Sequence, residues 1–259
     1  MATRPFLYGT NTKMTQTPGE ATTLVEELTR TIDPTPGVQL FVIPSFTSLA
    51  AVVEAARGSP LWVGAQTMHW ATEGAYTGEI SAGMLTALGI DLVLLGHAER
   101  RSLFHETDAE INKKVLAAAG AGLRVLLCVG ETADEKAYGV GSETVARQLK
   151  IGLHGLTTAA TPRLQIAYEP VWSIGAGGTP AQPVDVAPVA THLRALLADR
   201  FGAAGDEVPI LYGGSVDARN AGTFTALPAI DGLFVGRAAW TADGYRQVLA
   251  AGLAGHVPS

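Results

Sequence analysis

Residues 92–130, LVLLGHAERRSLFHETDAEINKKVLAAAGAGLRVLLCVG, contain one complete unit of strand, helix and strand. Its first and last segments, LVLLGH from Leu92 and VLLCVG from Val125, are short apolar runs with little polar alternation, as in parallel strands covered on both faces. Between them, Asp108 to Ala119 has the apolar spacing of a helix. A unit of this kind requires a right-handed crossover and a parallel sheet.

The same alternation of strand and helix extends over the whole chain. Six further runs bring the strand candidates to eight: FLYG from Phe6, LFVIP from Leu40, LWVGAQ from Leu61, QIAYE from Gln165, ILYGG from Ile210 and LFVG from Leu233. The other predicted helices are Pro18 to Arg30, Thr47 to Arg57, Ser81 to Leu88, Ser142 to Leu153, Val184 to Phe201, Asp217 to Leu227 and Thr241 to Leu253. Eight units without an intervening linker predict a (β/α)8 barrel of the α/β class, a single domain spanning residues 1–259. An open, doubly wound sheet is the alternative, although it usually carries a G-x-G-x-x-G motif after the first strand, where this chain reads GTNTKMT.

The composition excludes several classes of protein. Hydrophobic residues make up 47% of the chain and charged residues 16%, which predicts a packed core rather than disorder. The net charge of −6, without a basic stripe, argues against a nucleic-acid partner. The start MATRPFLYGT lacks the pattern of a signal peptide, and no apolar run approaches the ~20 residues of a membrane span, so we expect a cytoplasmic protein without a membrane partner. The single cysteine, Cys128, excludes an internal disulfide and a cysteine-based zinc cluster, and the histidines show no paired spacing for a metal.

Polar side chains and glycines follow several predicted strands at the point where each strand ends. In a (β/α)8 barrel these loops converge on one face, which carries the working residues. The strand ends supply Asn11, Lys13, His97, Glu99 and Glu169, with glycine turns at Gly213-Gly214-Ser215 and Gly236-Arg237. Each has an ordinary explanation by itself, such as a solvated lysine, a hydrogen-bonded histidine or a glutamate that caps a helix. Their shared position at one rim favours an acid/base site.

The glycines and the segment after Glu169 indicate two further parts of such a site. Gly213, Gly214 and Gly236 would let backbone N–H groups approach a phosphate without a side chain between them, although glycines also occur in ordinary turns. Glu169 is followed by Pro170 and then by VWSIGAGG, a large aromatic residue leading into small ones. This sequence predicts a lid with a hinge, a plug and a flexible tip that closes over a bound anion, the alternative being a loose surface loop.

Five motifs together resemble the triosephosphate isomerase family over essentially the whole chain. They are AYEPVWSIGAGG from Ala167, GHAERR from Gly96, CVGE from Cys128, YGGSV from Tyr212 and GAYTGEIS from Gly74. The resemblance implies a TIM barrel that acts as an isomerase of small phosphorylated sugars, forms a homodimer and requires no metal or organic cofactor. It also places Cys128 at the end of the fifth strand, where we expect a buried packing thiol.

The resemblance implies roles for the residues of the rim. Glu169 would be the base that shuttles a proton between adjacent carbons through a cis-enediolate, while neutral His97 would polarise the carbonyl. Lys13 would stabilise the developing negative charge and pair with Glu99 between turnovers, and Asn11 would help to fix the substrate. The remaining implied roles are phosphate binding by the backbone at Gly175, Ser215, Gly236 and Arg237, a lid containing Pro170, Val171, Trp172, Gly177 and Pro180, and a dimer loop in which Thr77 approaches the partner's Asn11.

Three positions depart from the family pattern. Thr12 stands where a tryptophan is usual, and Arg237 replaces the second glycine of a pair. Pro180 has no N–H to offer the hydroxyl of Tyr212 when the lid shuts. With the segments MHWATEGAYTGE and DGLFVGRAAW, these departures resemble the branch that isomerises L-erythrulose 1-phosphate to D-erythrulose 4-phosphate in erythritol catabolism. Two alternatives stay open: the glycolytic isomerisation of dihydroxyacetone phosphate to D-glyceraldehyde 3-phosphate, and a non-catalytic barrel that binds sugar phosphate.

Overall fold

The eight predicted strands form one closed barrel. The computed structural model describes residues 4–32, 34–175 and 177–256. Its strands are β1 (Phe6–Asn11), β2 (Val38–Ile43), β3 (Trp62–Ala65), β4 (Leu92–Leu95), β5 (Arg124–Val129), β6 (Leu164–Tyr168), β7 (Ile210–Tyr212) and β8 (Gly232–Val235). They are parallel and hydrogen-bonded in sequence order, and β1 pairs with both β2 and β8, which closes the barrel. The predicted (β/α)8 TIM barrel is therefore confirmed, and the doubly wound alternative is wrong.

The barrel accounts for nearly the whole chain. Its first strand begins at Phe6 and its last helix ends at Gly255. The single domain over residues 1–259 stays a prediction at its ends, because residues 1–3 and 257–259 lie outside the described residues. Within the described ranges, no helix is long and apolar enough to cross a membrane.

Each predicted segment contains a helix, although the segment predicted from Asp217 to Leu227 is helical only over Ala221–Thr225, and three short helices lie in the loops of the described residues as well. The helices are α1 (Pro18–Thr31), α2 (Leu49–Ala56), α3 (Ala82–Leu88), α4 (Ala98–Leu103), α5 (Asp108–Gly120), α6 (Ala133–Ala137), α7 (Gly141–Gly152), α8 (Pro183–Phe201), α9 (Ala203–Asp206), α10 (Ala221–Thr225) and α11 (Ala242–Gly255). Helices α4, α6 and α9 have six, five and four residues and are too short to show helical periodicity in the sequence. Capping boxes begin α1, α5 and α6, where a threonine and a glutamate three residues later satisfy free backbone N–H groups.

Side chains of the strands fill two apolar layers. Leu92, Leu94 and Leu126 belong to the cluster inside the barrel, whereas Val93 and Leu95 pack in the layer between the strands and the helices. Alternate residues of one strand therefore face two apolar environments. This is why the strand sequences are largely apolar runs, with polar residues such as Gln39 and Gln165 as exceptions near the strand starts.

Candidate active site

The carboxyl ends of the strands surround a cavity of about 790 Å³. The predicted site residues that line it are Asn11, Lys13, His97, Glu99, Glu169, Gly175, Pro180, Ser215, Gly236 and Arg237. The predicted residues outside its lining are Pro170, Val171 and Trp172 at the base of the lid, Gly177 at its exposed tip, and Thr77 on a separate loop. Ala176, within the predicted tip, lies outside the described residues. The barrel thus brings the predicted acid, base, cation and glycine turns into one cavity.

Glu169 lies in this cavity directly after β6, where the lid begins. The side chain is almost fully buried. Its Oε2 accepts a hydrogen bond from the backbone N–H of Ala98 at 3.2 Å, and its Oε1 lies 3.5 Å from Nε2 of His97. Burial removes most of the water that would otherwise solvate the carboxylate, so its lone pairs are available to a bound substrate. The arrangement suits a carboxylate that accepts a proton from carbon.

His97 presents a nitrogen donor to the cavity. It is the N-cap of α4, and its Nδ1 accepts a hydrogen bond from the backbone N–H of Glu99 at 3.2 Å. Because Nδ1 is an acceptor, the proton of a neutral ring is on Nε2, the nitrogen that faces Glu169. Such a ring can donate to a carbonyl oxygen of a bound substrate and stabilise negative charge there.

Lys13 has an uncommon backbone conformation. Its φ is 53°, in the left-handed region, which costs roughly 1–3 kcal/mol for a residue other than glycine. Its N–H donates to Oδ1 of Asn11 at 2.8 Å, and its C=O accepts from Nε2 of Gln66 at 2.7 Å. Its Nζ lies 2.7 Å from Oε1 of Glu99. These contacts hold the ammonium at the cavity, paired with the carboxylate that the resemblance implies.

Asn11 is held with a defined amide orientation. Its Oδ1 accepts from the N–H of Lys13 and, at 3.1 Å, from Nε2 of Gln66. With the oxygen so engaged, the NH₂ group is the side of the amide that can donate to a substrate. Gln66 is not among the predicted site residues. It is the polar residue that ends LWVGAQ, so its position at a strand end is the signal that could have identified it.

The two glycines after β7 are required for close packing. A Cβ at Gly213 would lie 3.0 Å from Cγ of Glu169, and a Cβ at Gly214 would collide with the hydroxyl of Tyr212. The prediction for these glycines was close approach of backbone to a phosphate. Packing against the proposed base and against the tyrosine gives an additional reason that needs no ligand.

The base of the lid is tied to the loop after β5. The indole N–H of Trp172 donates to Oε1 of Glu131 at 2.6 Å, within a 3₁₀ turn over Val171–Ser173. The same buried carboxylate accepts from the hydroxyl of Tyr168 at 3.0 Å, and Nζ of Lys136 lies 3.3 Å from the centre of the indole ring. Glu131 ends the CVGE motif, but the sequence offers no sign that it bonds a tryptophan forty-one residues later.

Tyr212, the last residue of β7, lies beside Ser173 of the lid and has a hydroxyl that could accept a further hydrogen bond. Its hydroxyl is buried and makes no hydrogen bond of normal geometry among the described residues. Burial raises the pKa of Tyr212 to about 12, an effect that the neighbouring Ser173 hydroxyl opposes, so the phenol stays protonated at neutral pH. Within the lid, the N–H of Thr179 donates to the C=O of Trp172 at 3.0 Å, which joins its two ends. Pro180 lines the cavity and, as a proline, cannot donate to the phenol.

Comparison of the sequence with known protein families agrees with this geometry. The sequence model described as triosephosphate isomerase matches residues 6–252. The chain belongs to the triosephosphate isomerase family. It is an isomerase on this evidence, and the resemblance noted from the motifs is confirmed.

Relatives from this family carry two different names. A triosephosphate isomerase of Carboxydothermus hydrogenoformans is 44% identical over 247 residues, which is 95% of this chain and 98% of that protein. An L-erythrulose-1-phosphate isomerase of Mesorhizobium japonicum is 44% identical over 250 residues, covering 94% and 96% of the two chains. A second L-erythrulose-1-phosphate isomerase, from Rhizobium etli, is 43% identical over 93% of this chain and 90% of its own. Overall similarity therefore establishes the family without choosing between the two substrates.

Two further family-implied residues, Thr77 and Cys128, do not line the cavity. Thr77 lies on an exposed loop between β3 and α3, so its approach to the partner's Asn11 stays a prediction. Cys128 is buried in the cluster inside the barrel, as predicted for a packing thiol. Burial and the nearby carboxylate of Glu169 raise the pKa of the Cys128 thiol, which therefore stays protonated and unreactive.

Proposed function

We propose that this isomerase moves a proton between two adjacent carbons of a small sugar phosphate through a cis-enediolate, with Glu169 as the base. The observation that carries the proposal is the buried carboxylate of Glu169, which lies in the cavity 3.5 Å from Nε2 of His97. A base and a hydrogen-bond donor this close can act on neighbouring atoms of one substrate.

The proposed steps use only these groups. Glu169 takes the proton from the carbon beside the carbonyl, and the C–H electrons form the double bond of the enediolate. The carbonyl oxygen gains negative charge, which the N–H of His97 and the ammonium of Lys13 stabilise. Glu169 then returns a proton to the former carbonyl carbon. His97 gives its Nε2 proton to the former carbonyl oxygen, which becomes a hydroxyl, and takes the proton of the neighbouring hydroxyl, which becomes the new carbonyl. The product is an isomer of the substrate, so no oxidant or reductant is consumed.

We propose L-erythrulose 1-phosphate as the preferred substrate, converted to D-erythrulose 4-phosphate. Support comes from the resemblance of the departures at Thr12, Pro180 and Arg237 to that branch of the family, and from the names of two relatives. The substrate is dihydroxyacetone phosphate with one additional hydroxymethyl group. The same catalytic groups can therefore act on either substrate, and the residues of the cavity wall would distinguish the four-carbon from the three-carbon sugar phosphate.

Isomerisation of dihydroxyacetone phosphate to D-glyceraldehyde 3-phosphate is the second candidate. The observation in its favour is the 44% identity to a named triosephosphate isomerase across nearly the full length of both chains. The same Glu169, His97 and Lys13 would serve that reaction. In either case, we propose that the phosphate is bound by the loops that contain Gly175, Ser215, Gly236 and Arg237.

We also propose that the protein is a cytoplasmic homodimer. The exposed loop that carries Thr77 and the 94% exposed side chain of Met14, one residue after Lys13, are surfaces that a second subunit would cover. Burial of an apolar side chain this close to the cavity would link dimer formation to the site. Sedimentation of the purified chain tests this part separately.

The test of function is the ratio of two specificity constants. We expect kcat/KM for L-erythrulose 1-phosphate to exceed kcat/KM for D-glyceraldehyde 3-phosphate. A ratio at or below one would overturn the four-carbon preference and leave the glycolytic reaction. The matched Glu169→Gln variant is the control, because contaminating isomerase from the host would give activity that does not depend on Glu169.

A further inference from the structure

Trp240 joins the loop after β8 to the loop after β1. It follows a 3₁₀ turn over Arg237–Ala239, and it lines the cavity. Its indole N–H donates to the backbone C=O of Asn11 at 2.9 Å, and its own C=O accepts from Nε2 of Gln16 at 3.0 Å. The two loops are thus cross-linked in both directions by side chains.

The backbone that Trp240 holds is the one that sets the position of two site groups. Asn11 is immediately followed by Thr12 and then by Lys13, whose φ of 53° persists only where surrounding contacts over-determine it. Side-chain contacts from Asn11 and Gln66 fix Lys13 from one direction. The hydrogen bond from the Trp240 indole to the Asn11 carbonyl fixes the start of the same segment from the opposite direction.

The other end of Trp240 is continuous with the proposed phosphate loop. Its backbone N–H donates to the C=O of Arg237, and Oγ1 of Thr10 lies 3.5 Å from the C=O of Gly236. A change in the loop after β8 is therefore transmitted to β1 through side chains as well as through strand pairing. A residue at 240 without a side-chain donor would keep the bond from Gln16 to its C=O but would lose the bond to the Asn11 carbonyl.

We propose that Trp240 is a positioning residue, whose N–H holds Asn11 and Lys13 in register with the phosphate-binding turn so that their donors meet the enediolate oxygens. The proposal rests on the function proposed above. It differs from a packing role, because it depends on the indole N–H. Trp240→Phe leaves the Asn11 carbonyl without its donor and also makes the ring smaller. A comparison of two ligands separates these effects, since looser packing weakens the binding of both, whereas loss of the N–H weakens only the ligand that uses Asn11 and Lys13.

The experiment measures binding of two anions by calorimetry together with kcat. Inorganic phosphate probes the phosphate loops alone. Phosphoglycolate adds a carboxylate that places negative charge where the enediolate would carry it, and so probes Asn11 and Lys13 as well. Trp62→Phe is the matched control, because Trp62 lies on β3 with its ring under the guanidinium of Arg124, away from the cavity.

For Trp240→Phe we expect phosphoglycolate binding to weaken about tenfold and kcat to fall similarly, with phosphate binding changed less than twofold. Trp62→Phe should stay within about twofold of the parent protein in both binding constants and in kcat. Unchanged phosphoglycolate binding in Trp240→Phe would overturn the proposal, and so would equal losses for both anions, which would indicate a general loosening of the loop. A parent protein that binds phosphoglycolate but isomerises neither sugar phosphate would refute the proposed function, while the two binding constants would still decide the role of Trp240.

A second variant covers the case in which Trp240→Phe folds poorly. Gln16→Ala removes only the donor to the Trp240 carbonyl, on a partly exposed side chain. We expect it to weaken phosphoglycolate about threefold and to leave phosphate binding unchanged. No change in either constant would count against the proposal.

Discussion

The β1/β8 rim (residues 11–13 and 236–240) and the lid (residues 170–180) both contribute residues to the lining of the cavity but are held differently. The rim is fixed by cross-links between loops, from the indole N–H of Trp240 to Asn11 and from Lys13 to Glu99. The lid is tied at its base through Trp172, whereas the buried phenol of Tyr212 beside it makes no hydrogen bond of normal geometry among the described residues. The rim, which would stabilise charge on the substrate, is thus already held in position by hydrogen bonds. The lid, which would cover the substrate, can still form a further hydrogen bond with Tyr212.

This difference assigns distinct expectations to the two regions. Changes in the rim should reduce the rate of the chemical step, because preorganised charge acts in the transition state. Changes in the lid should be smaller and should affect ligand binding and kcat together, because a closing segment contributes to both. Glu169 stands at the junction, directly after β6 and before the lid.

The largest effect should come from Glu169→Gln, which removes the base but keeps the size of the side chain. We expect kcat to fall on the order of 10³-fold, because a positioned general base contributes at this level. Inorganic phosphate should bind within about threefold of the parent protein, since neither phosphate loop is altered. Steady-state kinetics and calorimetry provide the two numbers. Unchanged turnover would mean that Glu169 is not the base.

Lys13→Met should give the next largest effect and tests the rim. Loss of the ammonium removes charge stabilisation, so we expect kcat to fall about a hundredfold. Lys150→Met is the matched control, because Lys150 is an exposed residue of α7 far along the chain from any cavity-lining segment. A fall of less than about threefold in Lys13→Met would show that the rim does not supply the charge.

The smallest effect should come from the lid, through Pro180 and Tyr212. Pro180→Ala supplies a backbone N–H that the phenol oxygen of Tyr212 could accept when the lid closes, so phosphoglycolate should bind about threefold more tightly. Tyr212→Phe alone should change that constant less than twofold. In the variant that combines Pro180→Ala with Tyr212→Phe, the gain in phosphoglycolate affinity should disappear. A gain that persists there would show that Tyr212 does not accept the new hydrogen bond.

Much of the fold was predictable from the sequence, for a physical reason. Each strand is apolar on both faces because it lies between the barrel interior and the helices. Such a strand is a largely apolar run in the sequence and can be identified without knowing which strands it pairs with. Helices α4 and α6 were not predicted because they are shorter than two turns, which is too short for the spacing of apolar residues to indicate a helix.

The site was predictable where its residues follow strands and not where they meet across the fold. Lys13, His97 and Glu169 could be located because strand ends converge in a barrel. Glu131 and Trp240 were not, since their partners are 41 and 229 residues away in the chain, a separation that no local pattern reports.

The most direct test of the central claim is isomerisation of L-erythrulose 1-phosphate in D₂O, followed by NMR. A proton held by the carboxylate of Glu169 can exchange with solvent, so we expect deuterium at C3 of D-erythrulose 4-phosphate, the carbon that receives the proton. Substrate and product that stay free of deuterium at C3 after many interconversions would indicate direct hydride transfer between the two carbons, because a proton held on a carboxylate exchanges in a fraction of turnovers. That result would contradict an enediolate formed by Glu169.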